Sequence, residues 1–182
     1  MRVLIEQELY QALSYAKSLD QDSGKRLMIQ LEIDQPLLFN TVFKTFPGII
    51  GERHQDLANL FMDLCFDVVG VYQKAFGGTP KFKDDPTWME RQAGLLDKEL
   101  KPLMEGRHVS DQRSQRMKTD FFKPKPGEIT QTGLMAFLYE AVDNFAEADG
   151  ECDTTTVDLA KTMLFVVVRL FNNLYTPRPT LQ

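Results

Sequence analysis

The amino-acid sequence predicts an all-α protein, a compact multi-helix bundle with a buried C-terminal helix. Three observations lead there. Apolar residues recur at three- and four-residue intervals through several long segments, the period of a helix with one buried face. Proline and glycine cluster between most of these segments, where they end helices instead of interrupting them. Residues 163–170 are apolar on nearly every side except Arg169, so that stretch needs neighbours all round. Six to eight helices are expected.

The first element is an amphipathic helix on which Ile5, Leu9, Ala12, Leu13, Ala16 and Leu19 form the apolar side, ending near the polar run 20–24. The next stretch reads two ways, because Leu27, Ile29, Leu31 and Ile33 alternate with Met28, Gln30 and Glu32 as a strand would. A lone strand needs a partner, and none is evident nearby, so a helix over 25–34 is the better expectation. Pro36 suits a first helical turn, where its missing donor is not needed. A short helix over 37–46 follows, ending at Pro47 and Gly48.

From Glu52 to about Phe76 runs the clearest pattern. Leu57, Leu60, Phe61, Leu64, Cys65, Val68, Val69 and Tyr72 lie against Asp56, Asn59, Asp63, Asp67 and Lys74. Gly77, Gly78 and Pro80 break it. Asp85 and Pro86 then offer a cap and a first-turn proline for a helix that buries Trp88, Leu95, Leu96, Leu100 and Leu103, with Pro102 and Gly106 to kink or stop it. A polar, basic connecting segment at about 107–127 is expected to lie mostly on the surface. Two core helices finish the chain: one carries Leu134, Phe137, Leu138, Ala141, Val142 and Phe145, and the other is capped by Asp153. In the latter, burial of each Leu or Phe is worth on the order of 1.5–3 kcal/mol and outweighs the weaker helix propensity of Val166, Val167 and Val168.

Composition sets the frame for function. With 182 residues, 43% hydrophobic and 26% charged, the chain suits a single domain over 1–182. A formal charge of -5 argues against whole-surface affinity for nucleic acid or anionic lipid. The apolar run 163–168 is far shorter than the roughly 20 residues that cross a bilayer, and Glu6 and Glu8 interrupt any leader-like start. No membrane association is expected. Cys65 and Cys152 lack metal-binding or disulfide spacing, which fits a reducing cytoplasm. Cys65 reads as a core thiol, and acidic neighbours disfavour a thiolate at Cys152.

Nucleophile elbows, phosphate loops and dinucleotide turns do not occur in the sequence. Two places could still hold chemistry. Glu105 and His108 are spaced to share a helix face, and with His54 they could bind a divalent metal in a metal-dependent enzyme, although Gly106 weakens a helix there and a solvent-facing histidine is the plainer reading. The carboxylate ladders Asp56, Asp63, Asp67 and Glu140, Asp143, Glu147 could serve a shared groove, but they lie opposite apolar stripes and are expected to be solvated faces. No cofactor is expected beyond such a metal.

Binding is the better expectation. Between Lys98 and Lys125 eight Lys or Arg residues face four acidic ones, a local excess of +4 in a negative chain. Arg107, Arg113, Arg116 and Lys118, with Phe121 and Phe122 as apolar anchors, could dock an acidic protein partner. Nucleic-acid binding through 98–125 is the lesser alternative, a homo-oligomer is compatible, and the bland reading has both rings buried and the charges merely solubilising. The preferred class is a helical adaptor or assembly protein.

Overall fold

The computed structural model describes residues 1–81, 87–92, 94 and 129–176. The chain divides into two compact units, Met1–Lys81 with Thr130–Gln182, and Phe82–Ile129. In the smaller unit a helical turn spans 88–92, and Trp88 and Met89 are buried. The residues expected to cap it, Asp85 and Pro86, lie outside the described residues.

The larger unit carries α1 (Glu6–Ser18), α2 (Gln21–Asp34), α3 (Pro36–Asn40), a π-helical turn (Thr41–Thr45), α4 (Phe46–Gly51), α5 (Gln55–Phe76), α6 (Thr132–Asp149) and α7 (Thr154–Tyr175). Among the described residues there is no strand, so the all-α bundle stands. The helix ends follow from local chemistry. Asp20 accepts the Ser23 N–H at 2.7 Å to cap α2, and Asp153 accepts the Thr156 N–H at 2.9 Å to cap α7. Gly77 ends α5 with φ of 95°, a conformation that a side chain would strain.

The C-terminal helix α7 packs on α4, α5 and α6. Met163, Leu164, Val166, Val167, Val168 and Leu170 are buried, whereas Phe165 and Arg169 are half-buried. Burial therefore covers most of the helix but leaves one side partly open. Between α5 and α7 the Tyr72 hydroxyl donates to Asn172 Oδ1 at 2.5 Å, with the Val168 carbonyl 3.3 Å away. Phe76, Phe171 and Tyr175 surround the Tyr72 ring at 5.3–5.5 Å between centroids.

On its other side α5 carries α1. The approach is close because both helices are small at the crossing: a Cβ on Gly70 would stand 2.6 Å from that of Ala16. One turn away, Lys17 Nζ meets Asp67 Oδ2 at 2.5 Å. Further along α1, Gly133 of α6 makes room for Leu9, and Gln131 holds the chain start by accepting the Leu4 N–H and donating to the Arg2 carbonyl, both at 2.9 Å.

Three local expectations change. The first helix ends at Ser18, and the polar run 20–24 opens α2 instead of separating two helices, since Asp20 is a cap and Gly24 lies buried against Phe66. Pro47 does not stop the third element. The wider π turn, closed by the Phe46 N–H on the Thr41 carbonyl, resets the helix so that Pro47 falls in the first turn of α4, where no donor is required. Asp67 is not on a solvated face. It is 2% exposed, because α5 is covered on two sides and its buried arc is wider than one stripe.

Candidate protein-binding surface

Helix α2 has two apolar faces. Residues two apart on a helix stand about 200° around the axis, so alternating apolar residues become two opposite rows. Leu27 and Leu31 form the inner row with Gly24 and are buried. Ile29 and Ile33 form the outer row, and Leu37 in the first turn of α3 is the next exposed apolar group along the chain. Ile33 is 68% exposed. The strand-like alternation in the sequence was thus the signal of this surface, legible only once the segment is known to be helical.

Charges of both signs flank the outer row. Glu32 faces Lys44 at 3.8 Å, and Asp34, its side chain turned inward, meets Lys81 at 3.1 Å. The carboxylates along the row are therefore matched by lysines. Its N-terminal end carries exposed Lys25 and Arg26 together with exposed Asp20 and Asp22, so charges of both signs balance there. Gln35 locks the corner between α2 and α3: its backbone N–H donates to the Leu31 carbonyl at 2.8 Å, and its side chain donates to the Pro80 carbonyl at 2.7 Å. The row is thereby presented on a rigid corner. An exposed apolar row flanked by charges of both signs suits the apolar face of an amphipathic segment.

His54 is the one proposed metal ligand among the described residues. Its Nδ1 accepts the Leu57 N–H at 3.2 Å, which caps α5 and leaves the ring hydrogen on Nε2, where it meets Asp149 Oδ2 at 2.9 Å. The ring stands nearly perpendicular to that of Phe145, with the centroids 5.8 Å apart. Both nitrogens are thus engaged, Nδ1 in capping α5 and Nε2 in tying it to the end of α6. Glu105 and His108 lie outside the described residues, and among the described ones no group of three His, Cys, Asp or Glu is placed to hold a metal. In the ladders, Asp56, Asp63, Glu140, Asp143 and Glu147 are exposed, and Asp143 meets Lys161 at 2.5 Å.

Burial pushes the Cys65 thiol well up, with Asp67 adding to it. Cys152 is raised by partial burial and by Asp149 and Asp153. Neither environment favours a nucleophilic thiolate. A depression of about 180 Å³ is lined by Arg2, Leu4, Glu8, Gln11, Ala12, Lys74 and Ala75. That is below the roughly 300–1,000 Å³ of sites for drug-sized molecules. Its charged walls are also occupied, since Arg2 pairs with Glu8 and Lys74 stands over the Tyr15 ring at 5.2 Å.

The basic candidates Arg107, Arg113, Arg116 and Lys118, and the anchors Phe121 and Phe122, lie outside the described residues. Among the described residues no helix is long and apolar enough to cross a membrane. No protein-family model, curated protein or solved structure matches the chain.

Proposed function

We propose that the protein is a helical adaptor or assembly protein that binds an acidic, amphipathic protein segment. The observation that carries this reading is the outward apolar row Ile29, Ile33 and Leu37. The preference for an acidic partner comes from the sequence, where the basic tract 98–125 carries Arg107, Arg113, Arg116 and Lys118 for charge and Phe121 and Phe122 for apolar contact. Free Cys65 and Cys152 suit a reducing compartment such as the cytoplasm.

The test is affinity capture from native extract with the wild-type chain, an Ile29→Glu/Ile33→Glu variant and an Arg113→Glu/Arg116→Glu variant, each with and without nuclease. The expected result is a nuclease-resistant partner that one or both variants lose while their melting temperatures stay unchanged. A partner released by nuclease would instead make the basic tract a phosphate binder. Survival of every specific partner in both variants would end this reading.

A further inference from the structure

We draw no further inference here: the strongest candidate, the exposed apolar patch of Val3, Ile5 and Tyr10 around the start of α1, is an unpartnered face like the row on α2 and α3, and nothing in the structure shows what covers it.

Discussion

Asp67 holds its carboxylate almost wholly out of water, 2.5 Å from a lysine whose own side chain is 59% exposed. Burial raises the Asp67 pKa above its ordinary value, outweighing the hydrogen bond and attraction of Lys17, and Asp63 adds to the rise. A carboxyl whose folded pKa is raised contributes stability that is complete below its unfolded value, about 3.9, and lost as pH rises through the folded value. Ionised Asp67 is thus costly at neutral pH, and the two halves of the pair should respond unequally to removal. Asp67→Asn should be neutral or stabilising in urea unfolding at pH 7. Lys17→Met strands the buried carboxylate and should cost about 1–3 kcal/mol, shrinking as acid protonates Asp67. The reverse order would show that attraction outweighs desolvation. At the start of α7 the balance differs, because Asp153 is exposed and its pKa is lowered by hydrogen bonds from the Thr156 hydroxyl and backbone. Asp153→Ala removes the cap and should cost about 0.5–2 kcal/mol in the same measurement, with no loss expected if α7 needs no cap.

Among the elements, α1 depends on a crossing with little tolerance. A methyl group on Gly70 would meet Ala16 at 2.6 Å from its Cβ and 3.2 Å from its backbone Cα, and backbone cannot swing aside as a long side chain can. Gly70→Ala should therefore destabilise by about 1–3 kcal/mol despite the better helix propensity of alanine, and hydrogen exchange should show α1 loosened first. An unchanged melting temperature would mean that α1 moves off α5 freely. The same elements show what periodicity conveys. It identified α1, α5, α6 and α7 because each has an apolar stripe, but a stripe describes one neighbour, whereas α5 has α1 and α7 on different sides. Hence Asp67 read as solvated although the whole run 67–72 is buried. Around Pro47 a π turn shifted the backbone, which depends on hydrogen-bond register rather than composition. The outer row of α2 was visible as alternation, yet its exposure depended on Gly24 docking the opposite face on Phe66.

At the scale of the whole molecule, the long helices are joined through phenols kept in their neutral form. Tyr72 lies between α5 and α7, Tyr175 donates to the Gly77 carbonyl at 3.2 Å where α5 ends, and Tyr139 on α6 lies under Lys161 of α7, 5.6 Å from its ring centroid. The Tyr139 hydroxyl is buried with no hydrogen-bond partner among the described residues. Burial raises all three pKa values, Tyr175 to about 12. A raised phenol pKa gives stability that is complete below the unfolded value, about 10, and lost as pH climbs through the folded value, because the unfolded chain ionises first. Each such phenol steepens the loss by about 1.4 kcal/mol per pH unit in that window. Raising the pH beyond 10 should therefore unfold the helices cooperatively, with phenolate absorbance from these residues appearing together with the loss of far-ultraviolet dichroism. Tyr72→Phe separates the two contributions. At pH 8 it should lower stability by about 0.5–1.5 kcal/mol, since the buried hydrogen bond to Asn172 Oδ1 is lost, whereas above pH 10 its stability should fall less steeply than that of the wild type. Phenolate forming at these three positions while the dichroism stays intact would show that the buried rings reach solvent without unfolding, and the tie between α5 and α7 would then be far looser than its hydrogen bonds imply.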